Sequence, residues 1–559
     1  MKQLRDVSTV LQTSLSCTHT NILIEQMDLL DRLPRVVGAK YDIARCCLAD
    51  TRKEVIDTAV DWVSKVDDGT KVFWLHGLAG VGKSTIATSI ARALSERRWL
   101  GGTFFFSRDV DSRSKPDQLF STIAFQMSSV HPSITVAICR ALTADLDIGR
   151  SAIVNQFEEL VRGPLRATKG LGHPVVILLD ALDECGSEKE RKDLLDVIRR
   201  GLPDLPHFVK FVITSRPDAD MRTLFTSMGG LVYPYDLNHQ TALVDADILT
   251  FISMRMQDIA LSHELTADWP GPKRRQALVR RAAGLFVWAS TACNFIEDDQ
   301  SDGPEMQLRL ILEEPDIPSD IGSLWTALDA LYLQVLRQSI PASASFSRLE
   351  ELRVVLATVL LAVDPLSLLD LTNLLNVRPV ALSSDGKAVR DILRKLHSVL
   401  VIPATDSQTL RIIHPSFVDF VTDPTRCTDD RFYLNPKAHH IYLTKRCLIR
   451  MQECLRRDIC HVGTVPMMNE DISDLHQRLA HYVPKDLQYA CRFWAEHLYR
   501  SAIDDELYFL VRELIFQNLL HWFEVMSLIG FHDASSAVLA LAQASLKVIF
   551  SFFSRCSCI

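Results

Sequence analysis

Three short clusters in this chain have the residue types and spacing of phosphate chemistry. Gly77-Leu78-Ala79-Gly80-Val81-Gly82-Lys83-Ser84 fits G-x-x-x-x-G-K-[ST] at every fixed position. Gly77, Gly80 and Gly82, with Val81 among them, let the chain turn its amide N–H groups inward around an anion. Lys83 is placed to reach β- and γ-phosphates, Ser84 to sit on Mg²⁺, and Thr85 to open the helix beside them. In the second cluster, Asp180-Ala181-Leu182-Asp183-Glu184 follows a wholly apolar run. Asp180 there can hold Mg²⁺ through its water shell. Asp183 and Glu184 are candidates to orient and polarise an attacking water. The third cluster is Thr214-Ser215-Arg216-Pro217, in which a strand-end polar residue can sense a γ-phosphate and Arg216 can neutralise its charge. Alone, an acidic cluster after a strand is commonly a solvated loop start. Paired with a glycine loop of this spacing, it reads as nucleotide chemistry.

Such residues work only if strands deliver them to one edge of a sheet. Val72 to Leu75 has the apolar and aromatic content of a buried strand, and Ile86, Ile90, Ala93 and Leu94 then mark one face of a helix. A second strand is predicted over Gly102–Ser107, a third over Pro174–Asp180, a fourth over Phe208–Thr214 and a short fifth over Leu231–Tyr233. A helical tract from Gln118 towards Val161 breaks near Pro132 and Gly149. Strands alternating with helices make a doubly wound α/β domain, a parallel five-stranded sheet with its ligand outside the strand C-termini.

At 559 residues the chain is too long for one core. Hydrophobic content of 47% and charged content of 23% are those of a folded globular protein. A net charge of −8 gives no electrostatic reason to expect nucleic acid or an anionic membrane as partner. The 13 cysteines are scattered and odd in number, and no secretory signal precedes them, so a reduced, cytoplasmic setting is expected.

The glycine loop Gly77–Thr85, the acidic run Leu179–Glu184 and Thr214–Pro217 together resemble the NACHT family of signal-transduction ATPases (STAND P-loop NTPases). Further stretches are similar to fungal-type members: Cys47-Leu48-Ala49-Asp50-Thr51-Arg52 with Trp62, Gly284–Ala289, His414-Pro415-Ser416-Phe417 with Asp419-Phe420, and Tyr489–His497 with Trp522-Phe523-Glu524. The resemblance spans roughly residues 45 to 530. It implies a switch closed on a diphosphate that exchanges for a triphosphate, hydrolyses slowly with Mg²⁺ and self-associates, in innate immunity or self/non-self recognition. It also implies that His414, in a winged helix, donates a ring N–H to the β-phosphate of the bound diphosphate. Animal relatives carry Gly-x-Pro, whose proline packs on the base, where this chain has Gly284-Leu285-Phe286. No Asn-Lys-x-Asp follows the acidic strand, which leans towards ATP/ADP with GTP open.

The expected organisation is a helical N-terminal segment and linker over 1–46, the nucleotide domain over 47–237, a helical domain over 238–303, a winged helix over 304–425 and an all-α region over 426–559. Leu4 to Leu15 and Ile22 to Leu33 suggest amphipathic helices, either an effector-docking segment or a leader packing on the next domain. Val36–Cys47 reads as a linker and Pro304–Pro318 as a polar, proline-bearing link. Cys447, Cys454, Cys460 and His461 match no zinc spacing, which favours buried apolar cysteines. Ala537–Phe553 is too short and interrupted for a membrane span. The ending Cys556-Ser557-Cys558-Ile559 lacks the aliphatic centre of a prenylation signal. No sensor repeat is recognisable, so the activating ligand stays open. Two function classes remain: a regulatory switch, or a free-standing P-loop NTPase or kinase-like enzyme with a second substrate. The Asp183-Glu184 pair and the helical segments favour the first.

Overall fold

The computed structural model describes residues 24–556 apart from 66–68, 169–170, 240, 299–302, 314–323, 341–344, 377–386, 464–467 and 503. The chain divides into two units. The first runs to Met254 and takes in Ala283–Val287; the second comprises Arg255–Ala282 and the chain from Trp288 onward.

The first unit is built on five parallel strands: β1 (Val72–His76), β2 (Leu100–Phe105), β3 (Val175–Asp180), β4 (Val209–Ser215) and β5 (Val232–Asp236). Their order is β2-β3-β4-β1-β5. Every residue of β3 and β4 is buried, which explains why these strands read as continuous apolar runs rather than alternating ones. Pro234 lies in β5, an edge strand, where its missing N–H costs no ladder bond. Because β4 lies between β3 and β1, the glycine loop, the acidic cluster and Thr214 leave the sheet side by side.

The other edge, β2, is closed by atoms from outside the sheet. The Gln126 side chain accepts the Thr103 N–H at 3.0 Å and donates to the Thr103 carbonyl at 2.9 Å, replacing the backbone of a missing strand. Two residues on, the Phe105 N–H donates to the Ala39 carbonyl at 3.0 Å. The stretch expected as a linker from Val36 is thus built into the domain at its start. Val36 and Ala39 are buried in the core of the sheet domain, as are Leu30 and Leu33 just before them. Residues 24–31 are helical and pack as a leader on this core; the helix expected over Leu4 to Leu15 lies outside the described residues.

At the N-terminal end of β4, Lys210 is fully buried beside the last turn of the helix Lys53–Ser64. It donates to the carbonyls of Trp62 (3.0 Å) and Lys65 (2.6 Å) and stands 4.2 Å from the centre of the Trp62 ring. Orphan carbonyls at a helix C-terminus carry partial negative charge, so these two contacts favour the buried ammonium.

The second unit is helical among its described residues except for a small antiparallel pair, β6 (Leu400–Val401) and β7 (Arg411–Ile412). The polar link expected from Pro304 is instead helical over Pro304–Glu313. Proline at a first helical position removes no needed N–H, and Leu308 and Ile311 bury one face. Trp494 and Trp522 are fully buried core residues. Cys447 and Cys460 are buried free thiols, and no cluster of described residues offers three or more metal-ligating side chains. No helix among the described residues is long and apolar enough to cross a membrane. Ser557 to Ile559 lie outside the described residues.

Candidate functional site

The glycine loop leaves β1 and feeds the helix Lys83–Glu96. Gly80 (φ +79°) and Gly82 (φ +94°) hold left-handed backbone that side chains resist, which explains glycine at both. At Gly77 space is tight: a Cβ there would come within 3.2 Å of Leu237 and Val81, which would have to shift by a few tenths of an ångström. Lys83 folds back over the loop, donating to the carbonyls of Gly77 (2.9 Å) and Leu78 (2.8 Å). Burial brings its ammonium down to about 8, opposed chiefly by the charge of Asp183. The loop amides, the helix N-terminus and this ammonium form a cradle for phosphate oxygens.

Asp180, at the end of β3, is buried; burial raises its pKa, against hydrogen bonds from Thr214 and Ser84. The Thr214 hydroxyl donates to Asp180 Oδ1 at 2.6 Å and accepts the Ala181 N–H at 2.9 Å. Ser84 Oγ and the Asp180 carboxylate are hard oxygen donors beside a phosphate cradle, a set that fits Mg²⁺ shared with a nucleotide.

Chain geometry then separates the two remaining acids. Ala181 takes a left-handed turn (φ +54°) into the short helix Leu182–Glu184. Asp183 Oδ1 accepts the Arg216 N–H at 2.9 Å, and Oδ2 lies 3.3 Å from Arg216 Nε. Arg191 donates to the Asp183 carbonyl at 3.2 Å, fixing the same turn. Glu184 is oriented by the Arg108 N–H, donated to Oε2 at 3.3 Å. Burial pushes the Glu184 carboxyl up to about 7, with Arg108 pulling it down and Asp183 pushing it further up. Of the pair, Asp183 is tied to Arg216, whereas Glu184 is poised to exchange a proton near neutral pH.

Sequence reading singles out Lys83, Ser84, Asp180, Asp183, Glu184 and Arg216, and all six lie at the C-terminal ends of β1, β3 and β4 in the first unit. It did not single out Arg108, Arg191 or Asn238. Asn238 accepts the Leu78 N–H at 3.3 Å and is itself held by Asp236. None of the three belongs to a fixed-spacing motif; each acts through folding that only the sheet order reveals.

His414 lies in the second unit, between β7 and the helix Ser416–Val421. The Ser416 N–H donates to His414 Nδ1 at 3.1 Å, and Ser416 Oγ lies 2.7 Å from the same nitrogen. A ring nitrogen that accepts a backbone N–H carries no proton, so Nε2 bears it. Ser416 is fixed in turn by Tyr332, whose hydroxyl is 2.8 Å away and whose ring meets Phe417 edge-on.

Residues 51–216 match the family model described as "Nephrocystin 3, N-terminal". No curated protein matches the chain. Among solved structures, it is similar to a Signal Transduction ATPase with Numerous Domains (STAND) protein with a tetratricopeptide repeat sensor from Pyrococcus horikoshii. Identity there is 11% and the TM-score 0.36, over 94% of this chain and 66% of that one. This chain therefore spans just under two thirds of that relative's length. It is also similar to the ORC1 protein of Aeropyrum pernix, solved in complex with DNA (14% identity, TM-score 0.26, 69% of this chain and 94% of that one). A third is AMPPCP-bound DnaA from Aquifex aeolicus (12%, TM-score 0.23, 65% and 92%).

Proposed function

We propose that this chain, whose residues 51–216 form a NACHT-related P-loop NTPase domain of the STAND kind, is a nucleotide-operated signalling switch. The observation that carries the reading is the convergence of Lys83, Asp180 with Thr214, Asp183 with Arg216, and Glu184 at adjacent strand ends. It binds ATP and ADP, with GTP as the competing nucleotide. Gly77, Gly80, Val81 and Gly82 present backbone to the phosphates, Lys83 supplies a compact charge, and Thr85 continues the helix start. Ser84 and Asp180 would hold Mg²⁺, which supplies charge neutralisation at the phosphates when bound. Glu184 accepts a proton from the attacking water, Asp183 holds Arg216 in place, and Arg216 faces the charge that develops on the leaving phosphate.

A switch needs a contact that one nucleotide state has and the other lacks. His414 is the candidate by the family resemblance, its Nδ1 accepting the Ser416 N–H and its ring proton on Nε2. In this reading it grips the diphosphate in a closed arrangement, and the triphosphate form opens and self-associates. The N-terminal segment is the candidate docking point for an effector. The immune or self/non-self setting follows from the family resemblance.

The test is to identify the nucleotide that copurifies with the protein and to measure assembly by light scattering before and after its exchange. A bound diphosphate on the monomer, and assembly on exchange for a non-hydrolysable triphosphate, are the expected results. Steady turnover with no change of assembly would make it a stand-alone NTPase instead.

A further inference from the structure

Arg52 is nearly buried, 7% exposed, and its backbone is left-handed (φ 59°, ψ 20°) at the start of the helix Lys53–Ser64. A buried guanidinium in unfavourable backbone persists only where its surroundings hold it there. Three segments do so. Its guanidinium donates to the Val81 carbonyl, inside the glycine loop, at 2.8 Å. Asp247, on the helix Thr241–Ser262, accepts the Arg52 N–H at 3.2 Å and lies 3.8 Å from Nε. The Phe286 ring lies under the guanidinium, 4.7 Å from its centroid. Beside this cluster, the Val287 N–H donates to the Gly80 carbonyl at 3.1 Å.

A trans peptide is planar, and its C=O and the next N–H point to opposite sides. Pinning the Val81 carbonyl to Arg52 therefore aims the Gly82 N–H the other way. Pinning the Gly80 carbonyl to Val287 does the same for the Val81 N–H. Two consecutive peptide planes of the loop are thus set by atoms outside it, before any anion arrives. Preorganised amides bind an anion more tightly than amides that must be turned to meet it.

We propose that Arg52 is a positioning residue for the phosphate loop: it fixes the Val81–Gly82 peptide so that its N–H faces the nucleotide phosphates, and it is braced for this by Asp247 and Phe286. The inference rests on the reading of this loop as a nucleotide site. The effect should fall on phosphate binding and spare the base and sugar. Arg52→Lys keeps a charge for Asp247 but loses the flat ring contact and the reach of the guanidinium. Phe286→Leu keeps an apolar side chain but removes the ring face.

The experiment titrates ADP and adenosine against purified wild type, Arg52→Met, Arg52→Lys, Phe286→Leu and Lys83→Ala by calorimetry. Arg52→Met is expected to weaken ADP about 10- to 100-fold, the worth of one charge-assisted hydrogen bond, with adenosine affinity unchanged. Arg52→Lys and Phe286→Leu should fall between it and wild type. If Arg52→Met does not fold, these two decide the matter by the same comparison. Loss of ADP and adenosine affinity in equal measure makes Arg52 a stability residue and overturns the proposal. So does unchanged ADP affinity while Lys83→Ala abolishes binding. Wild-type ADP affinity in Lys83→Ala overturns the nucleotide site itself.

Discussion

Thr214 and Asp180 share one proton-donating contact, Thr214 Oγ1 to Asp180 Oδ1 at 2.6 Å, and both side chains are buried. The same hydroxyl accepts the Ala181 N–H at 2.9 Å. One side chain on β4 therefore sets the direction of the β3 carboxylate and also the turn that carries Asp183 and Glu184.

Thr214→Val keeps the shape but leaves a buried carboxylate and a part-buried N–H each short of a partner. The expected cost is about 1–3 kcal/mol of stability. Thr214→Ser, which keeps the hydroxyl, should lose less. Urea unfolding of the two variants checks this, and equal stability of Val and wild type would mean that the contact is not formed in solution.

Glu184→Gln should retain nucleotide but hydrolyse it about 10²- to 10⁴-fold more slowly, the contribution of a positioned base. With the carboxyl held up near 7, wild-type turnover should climb as pH rises through that value and then level off. The stability effect has the opposite sign: a carboxyl raised from 4.5 to about 7 gives its full stabilisation below 4.5 and loses it as pH rises through about 7. Glu184→Gln should thus gain on wild type at pH 8 and lose that advantage towards pH 4. A hydrolysis rate equal to wild type would move the proton transfer to another group.

His414→Leu removes the Nε2 proton, together with the Nδ1 acceptor of the Ser416 N–H. Diphosphate binding should weaken by about 1.5–3 kcal/mol, with triphosphate affinity unaffected and a larger oligomeric fraction. Diphosphate titration and light scattering on the same sample decide it. Unchanged affinity and assembly would make His414 a purely structural partner of Ser416.

A chain of hydrogen bonds runs through the second unit from the Val363 N–H to the Tyr489 hydroxyl (3.1 Å), on to His497 Nε2 (2.7 Å), and from His497 Nδ1 to His440 Nδ1 (2.9 Å). Only one of the two facing Nδ1 atoms can carry a proton, so the two rings are not charged together. Burial lowers the His440 pKa to about 4, and burial with the neighbouring His440 and Arg500 charges takes His497 well below 6.5. Groups with depressed folded pKa values bind fewer protons folded than unfolded, so stability is full above pH 6.5 and falls as pH drops towards 4. The slope is up to about 1.4 kcal/mol per pH unit for each ring. Thermal unfolding of His440→Gln between pH 7 and 4.5 should show a shallower decline than wild type; parallel curves would sink the assignment.

Much of the first unit was legible because its chemistry is local in sequence. Gly77–Ser84 and Asp180–Glu184 are each contiguous, and a strand buried on both faces announces itself as an apolar run. Arg52 was legible only as part of a resemblance. Its partners Val81, Asp247 and Phe286 are distant in sequence, and nothing in the spacing of an arginine says that it will be buried. The helix Pro304–Glu313 was masked by its charged face and opening proline, although Leu308 and Ile311 keep a helical interval. Val36 and Ala39 gave no periodic signal at all, since an extended strap along a sheet edge has none.

That strap sets where the domain can be cut. Recognisable nucleotide-domain sequence begins near Cys47, and a fragment started there would drop Ala39, the acceptor for the Phe105 N–H. It would also strip Leu30, Leu33 and Val36 from the core. Gln126 would still cover Thr103, but the end of β2 nearest the site would become a raw edge, open to pairing with the same edge of another molecule. Pairing through that edge would counterfeit the self-association of a switch. A fragment that keeps these contacts includes the helix from residue 24 and the strap that follows it.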